Sequence, residues 1–517
     1  MANGQQVTSK VGLFPGLISN QQLRQEYVES GWLVSIPLSI VPAHWLSSGE
    51  QRLDGSFYSQ EAVAAQRVVN DTGFEVEALQ NLVSDLYILG RFKRIYASDK
   101  KSGWPYLSAS EALIFRPTSD NWIASEQAPR EADRHFVKEG WLLISSSGSV
   151  GRLAITTKRL EKFFLTHDLI RVIPSEKMPV GYLYAFLSTW VGQALIVKDQ
   201  YGGAIKHLEP HHVASVPIPL LPGHEQKNIH EQILKAYALR EEANRLLDQA
   251  DKLLYEELDL APFDESAIPY LTVSEKQDEP SMPHPKAFSV KISELEERLD
   301  GSYHVPAAKL AAEMLKKGKY QPVQLHVLLT NIFLPNRFKR IYVRQEYGIP
   351  FLQGSHLAMT RPYDLKYIST RANEKNIESC LVFPGQILLT RSGTIGRLSL
   401  ISSYLNGWAA SEHLLRLIAD ETKAHPGYIV AYLMTSYGQH QILSKIYGGV
   451  VDEITPEDTG RIWIPNAPLH VQEKIGTLVM EAFEKKDHAA LIEEATVKDF
   501  EQILVSSEKP NQYIPNM

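Results

Sequence analysis

The chain of 517 residues is poor in cysteine. Its single cysteine, Cys380, excludes an internal disulfide framework and any metal site built from several cysteines. Long apolar runs are also missing, and none approaches the roughly 18 residues of a membrane span. The opening Met1-Ala2-Asn3-Gly4-Gln5-Gln6 lacks the basic and apolar regions of a secretory signal. These absences point to a cytoplasmic protein with no membrane partner. The usual signatures of catalysis are absent as well. No Gly-Lys-Ser/Thr follows a glycine-rich loop, no dinucleotide fingerprint appears, and no Asn-Pro-Pro-Tyr or Asp-Pro-Pro-Tyr of an amino-methyltransferase is present. His211 and His212 are sequence neighbours that point apart, and no carboxylate pair completes a metal set. Cys380 has no evident base to activate it. The chain is therefore expected not to be an enzyme, and to hold no metal or cofactor of its own.

Positive charge is scarce only on average. The formal net charge is -7. The excess acid sits in the segments 223–260, 261–297 and 468–505, whereas 298–467 is basic. Exposed charges act over about 8 Å at physiological salt, so an acidic average does not exclude an anionic partner.

What the chain does have is a duplication. Arg91-Phe92-Lys93-Arg94-Ile95-Tyr96 returns letter for letter as Arg337-Phe338-Lys339-Arg340-Ile341-Tyr342, 246 residues on. At the same offset Arg52-Leu53-Asp54-Gly55-Ser56-Phe57 matches Arg298-Leu299-Asp300-Gly301-Ser302-Tyr303. Ser147-Gly148-Ser149-Val150-Gly151-Arg152-Leu153 matches Ser392-Gly393-Thr394-Ile395-Gly396-Arg397-Leu398 at an offset of 245, and Tyr201-Gly202-Gly203 matches Tyr447-Gly448-Gly449 at 246. A repeat of this length is a duplicated domain rather than a short solenoid unit. Short apolar runs around Ser-Gly turns read as strand–turn–strand. Tyr182 to Val197, with Leu183, Phe186, Leu187, Trp190 and Leu195, has the spacing of one helix. The fold class is thus α+β, with two similar irregular globules.

A long helix follows each globule. Leu239, Ala243, Leu246, Ala250 and Leu253 step by 4 and 3, the period of a coiled-coil seam. Ile229, Ile233 and Ala236 form a shorter seam one residue out of phase. In the second helix Ile475, Leu478, Ala482, Ala489 and Ile492 occupy the equivalent face, interrupted by Lys485. The two helices are expected to pair as an antiparallel coiled coil about 50 Å long. The predicted organisation is an N-terminal extension (1–51), a first globule (52–222), a first helix (223–260) and an acidic proline-rich linker (261–290). A second globule (291–467), a second helix (468–505) and a tail (506–517) follow.

Basic residues interleaved with aromatics suit phosphate contact and base stacking. Candidates of this kind are Arg91, Lys93 and Arg94 with Arg337, Lys339 and Arg340; if the hexapeptide is a strand, Arg91 and Lys93 share one face and Arg94 the other. Arg152 and Arg397, just after the tight turn, could meet a phosphate or an acid of the fold. The zones where the copies diverge, 97–139 and 343–384, carry Lys100, Lys101 and Arg116 in the first and Arg344, Arg361 and Arg371 in the second. Arginine and its amide neighbours Asn121, Gln345, Gln353 and Asn373 are residue types that read base edges. A common scaffold carrying different polar loops suits two readers of different sequences.

The order of these parts resembles the specificity (S) subunit of type I restriction–modification systems. The likeness covers nearly the whole chain from about residue 40. It rests on the doubled Arg-Leu-Asp-Gly-Ser openings and on Ser392-Gly393-Thr394-Ile395-Gly396-Arg397. It rests also on two globule-to-helix junctions, Ile218-Pro219-Leu220-Leu221-Pro222-Gly223-His224-Glu225-Gln226 and Ile464-Pro465-Asn466-Ala467-Pro468-Leu469-His470-Val471-Gln472. The resemblance implies that each globule is a target-recognition domain for one half of a split site on double-stranded DNA. It implies that the helices set the gap and dock methyltransferase (modification) subunits, which carry S-adenosylmethionine, with a restriction/translocase subunit as a further partner. On the residues alone, three alternatives stay open: a protein-interaction scaffold that binds no DNA, the recognition subunit of a related two-subunit restriction system, and an enzyme hidden in an irregular fold.

Overall fold

The structure, a computed structural model, describes residues 57–97, 100–202, 205–269, 287–295, 298–449 and 451–506. The N-terminal extension, the first Arg-Leu-Asp-Gly-Ser run, most of the linker and the tail lie outside the described residues. The chain divides into two compact units. Of the described residues, the first comprises those up to 113, those between 117 and 234 and those from 492 on, and the second 114–116 and those between 235 and 491.

In the first unit, α1 (Gln60–Asp71) starts from Ser59, whose hydroxyl accepts from the Ala62 amide. Strands β1 (Glu75–Ala78) and β2 (Val83–Tyr87) follow, then β3 (Gly103–Leu107), β4 (Trp122–Ala124), β5 (Leu142–Ser145), β6 (Leu153–Ile155), β7 (Phe164–Leu165), β8 (Leu169–Pro174) and, after three helices, β9 (Pro217–Leu220). They make an antiparallel sheet β2-β8-β5-β6, a smaller sheet β4-β3-β7 and a ribbon β1-β9. All four side chains of β5 are buried, which suits a run of consecutive apolar residues.

The second unit repeats the plan. Its strands are β10 (Pro322–Gln324), β11 (Leu329–Phe333), β12 (Tyr342–Val343), β13 (Gly348–Leu352), β14 (Lys366–Ser369), β15 (Ile387–Thr390), β16 (Leu398–Leu400), β17 (Ala409–Ala410), β18 (Leu414–Ala419) and β19 (Trp463–Pro465). The sheets are β11-β18-β15-β16, β12-β14-β13-β17 and β10-β19. Even the irregularity is repeated: β2 slips register between Val83 and Asp85, and β11 between Leu329 and Asn331. The predicted strand–turn–strand is present as β5–β6 and β15–β16.

In the globules one sequence expectation needs correction and one open condition is answered. The segment from Tyr182 to Val197 is two helices, α2 (Val180–Ser188) and α3 (Trp190–Val197), bent by 81°. Thr189 breaks the run: its hydroxyl donates to the Phe186 carbonyl at 2.6 Å and accepts from the Gly192 amide at 3.0 Å. Gly192 permits the close approach, because a Cβ there would collide with the Phe186 carbonyl. Thr435 and Gly438 do the same in the second copy. The hexapeptide Arg91–Tyr96 is not a strand; only Tyr96 makes a bridge, to Ile123. Its counterpart is strand only at Tyr342. Phe92 turns inward onto Phe164 and His135, while Arg91 and Lys93 stay exposed.

The long helices are α4 (Gly223–Leu258) and α5 (Leu469–Ser506). The buried face of α4 is one continuous seam: Ile229, Ile233, Ala236, Arg240, Ala243, Leu247, Ala250 and Leu254. The two out-of-phase seams expected from sequence are therefore one, joined through Arg240. Leu239 and Leu253 are half-buried neighbours of that seam, and Leu246 is buried beside it. On α5 the buried line is Ile475, Val479, Ala482, Lys486, Ala489, Glu493 and Phe500. Leu478 and Ile492 are half-buried at its edge, and the buried lysine is Lys486 rather than Lys485. Within the second unit, Ala243, Leu247, Ala250 and Leu254 share one apolar core with Val471, Ile475, Val479 and Ala482, and Lys474 is 3.0 Å from Glu257. Within the first, Phe500 packs on Tyr182 with ring centroids 5.1 Å apart, and Tyr184 donates to Glu493 at 2.7 Å.

Candidate nucleic-acid interface

In each unit three loops meet at the ends of β5 and β8, or of β15 and β18. The first is the Ser-Gly turn. Gly148 and Gly151 have φ of 72° and 83°, and Gly393 and Gly396 have 74° and 93°, so the left-handed region makes glycine the fitting residue. The Ser145 hydroxyl donates to the Ser149 carbonyl at 2.5 Å, and Thr390 to Thr394 at 2.6 Å. The Gln193 and Gln439 amides hold the Gly151 and Gly396 carbonyls at 3.1 and 3.0 Å.

The second loop, 165–168 or 410–413, is gripped from below by a buried arginine. Arg171 donates to the carbonyls of Leu169, Leu165 and Thr166 at 2.8, 3.5 and 3.1 Å. Arg416 donates to Ser411, Leu414, Cys380 and Ala410 at 2.8, 2.7, 3.2 and 2.5 Å. Burial pushes both guanidinium groups down to about 10, so both stay charged at neutral pH, and carbonyls rather than an acid share the charge.

The third loop begins at Tyr201-Gly202 or Tyr447-Gly448 and closes on itself. Tyr201 and His207 exchange backbone hydrogen bonds of 3.0 and 2.8 Å; Tyr447 and Glu453 do so at 2.9 and 2.8 Å. Bridges Ser147–His207 and Ser392–Glu453 fasten it beside the Ser-Gly turn.

The doubled hexapeptide crosses this rim, and its basic residues divide into two kinds. Arg94 lies 3.5 Å from Asp168 and 5.5 Å from the centre of the Tyr106 ring. Arg340 pairs with Glu412 and lies 5.1 Å from the Phe351 ring centre. Each thus ties the hexapeptide to the second loop and to the aromatic of β3 or β13. Burial works to raise the Glu412 pKa, but backbone N–H groups and Arg340 outweigh it and hold the carboxyl low. Arg94 is exposed and Arg340 half-buried, so pairing rather than exposure sets Lys93 and Lys339 apart: both are exposed and make no ion pair with a described residue. Arg91 is exposed near Tyr201, and Arg337 is exposed while reaching Glu453 at 3.2 Å.

The other candidates scatter. Lys100, Lys101, Arg344 and Arg371 are exposed, with Lys100 above the Trp122 ring at 4.9 Å. Arg116, within the second unit, pairs with Asp248 of α4 at 3.0 Å. Arg152 donates to the Leu113 carbonyl at 3.4 Å. Arg361 and Arg397 are half-buried. Sequence reasoning missed Arg391, which pairs with Glu453 and donates to Tyr447 at 3.2 Å. It also missed His413, whose Nδ1 lies 2.6 Å from the Ser392 hydroxyl. Arg391 immediately precedes the repeated Ser-Gly turn, which was a usable signal; His413 lies 21 residues from Ser392 and had none.

Comparison with known proteins gives the following. Residues 93–247 match the family model of the type I restriction modification DNA specificity domain. The chain is similar to the S subunit of a type I restriction–modification system from M. genitalium, at 12% identity and a TM-score of 0.35, over 85% of this chain and 97% of that one. It is similar to the HsdS subunit from Thermoanaerobacter tengcongensis at 14% identity and a TM-score of 0.26, over 84% of this chain and 96% of that one. TM-scores this low do not establish a shared fold. No curated protein sequence matches the chain.

Proposed function

We infer that this chain, which carries a type I restriction modification DNA specificity domain over residues 93–247, is the DNA sequence-specificity subunit of a type I restriction–modification system. In this reading each globule binds one half of a bipartite target in double-stranded DNA. The observation that carries it is the doubled rim. Both copies hold the same three loops by equivalent bonds, while the polar side chains around them differ. Repeated backbone bonding with divergent donors is what two half-sites of different sequence require.

The long helices, on this proposal, pair antiparallel and set the distance between the half-sites. Their exposed faces dock modification subunits, and a restriction/translocase subunit joins through these. Methyl transfer belongs to the modification subunits and their S-adenosylmethionine; this chain supplies recognition alone. No helix among the described residues is long and apolar enough to cross a membrane.

The test is a methylation map. Cells carrying this chain with a modification subunit should show adenine methylation at one two-part sequence. Replacing residues 97–139 by the corresponding loop of another specificity subunit should change one half of that sequence. A change in both halves, or in neither, refutes the assignment of one globule to one half.

A further inference from the structure

The third loop carries a feature that base reading and phosphate contact do not use. Among its described residues, one aliphatic side chain is bare in each copy. Ile205 is 59% exposed and Val451, its counterpart 246 residues on, is 57% exposed. A single exposed aliphatic is ordinary on a protein surface, but here a β-branched one stands at the same place in both copies. The backbone is built to present it. Gly202 and Gly448 have φ of 102° and 121°, and a Cβ at either would strike the carbonyl oxygen of Ile205 or Val451. The closing bonds at Tyr201–His207 and Tyr447–Glu453 fix the base of each loop.

The residues next to the tip behave differently. Lys206 follows Ile205, whereas Asp452 follows Val451; then come His207 and Glu453. Charge reverses between copies while the aliphatic tip is kept. A contact common to both copies cannot tell two half-sites apart. Thymine methyl contact in the major groove would be such a reading contact, so the kept tip fits a different role. Apolar side chains that enter DNA without reading it wedge between base steps from the minor groove and bend the duplex.

We propose that Ile205 and Val451 are such wedges, one for each half-site, inserted where the exposed basic residues Arg91, Lys93 and Lys339 hold the flanking phosphates. The proposal rests on the reading of the chain as a DNA-specificity subunit. The double variant Ile205→Ser/Val451→Ser of the full chain tests it, on a 40-bp duplex of mixed sequence with a fluorescent donor and acceptor at its ends. Wild type should shorten the end-to-end distance on binding. The variant should bind at least about tenfold more weakly, keep the wild-type salt dependence because no phosphate contact is lost, and leave the duplex straight. Ile205→Val/Val451→Ile should behave as wild type. Unchanged affinity and bending in the serine variant overturn the proposal. Weaker binding with the bend retained overturns it too, because the tips would then only line a groove wall. A wild-type chain that binds no duplex overturns the DNA reading itself, an outcome distinct from the other two.

Discussion

The division of the hexapeptide into paired and unpaired cations makes a quantitative claim about salt. Lys93 and Lys339 are exposed, and neither is ion-paired to a described residue. Arg94 and Arg340 are held by Asp168 and Glu412 and packed on Tyr106 and Phe351. Each phosphate contact contributes about 0.9 to the slope of log affinity against log salt. Lys93→Ala/Lys339→Ala should therefore flatten the slope by about 1.8. Extrapolated from 1 M to 0.1 M salt, that is a loss of roughly 60-fold in affinity at the lower concentration, for every DNA sequence alike. Arg94→Ala/Arg340→Ala should act otherwise. It removes internal pairs and ring contacts worth on the order of 1 kcal/mol each, so urea stability should fall while the slope stays close to wild type. The measurement is a titration of the full chain with a mixed-sequence duplex across a salt series, beside a urea melt. If the lysine variant keeps the wild-type slope, or the arginine variant flattens it equally, the division is wrong.

Arg416→Met should destabilise the second unit by at least about 3 kcal/mol in urea unfolding, since up to four buried carbonyls lose their donor at about 1–3 kcal/mol each. A loss under 1 kcal/mol would mean that water takes over the role. His135 is 2% exposed and burial lowers its pKa to about 4, so the unfolded chain takes up a proton that the folded one refuses. Its contribution is complete above pH 6.5 and is lost as pH falls toward 4, about 2 kcal/mol between pH 7 and pH 5; His135→Gln should remove that part of the pH dependence of urea stability. Inserting one heptad into each long helix keeps the seam in phase and adds about 10 Å, so the gap in the methylated sequence should grow by about three base pairs. An unchanged gap in an active complex would show that the helices do not set it.

Much of this was legible because duplication supplies its own comparison. The strand–turn–strand units, the two long helices and the rim loops all stand in the repeat. What stayed hidden has physical causes. The seam of α4 looked broken because Arg240 fills a position where an apolar residue is expected, and on α5 Lys486 and Glu493 do the same. Long side chains with apolar stems can line a buried face, so hydrophobic spacing alone misjudges the phase. The break at Thr189 was invisible because its flanks are apolar enough for one helix, whereas a single hydroxyl can end one turn and cap the next. The site residues were hardest. Identity between copies marked Arg94 and Lys93 alike, yet one faces an acid and a ring and the other faces solvent. That difference depends on Asp168 and Glu412, which lie far along the chain and are offset by 244 residues rather than by the 245 of their neighbours. An acid that slips one position between copies while its arginine stays fixed leaves no mark in the repeat, and the pair survives because a flexible guanidinium can reach either position. Sequence identity thus locates the rim, but only partners separate the cations paired within the protein from those without an ion pair among the described residues.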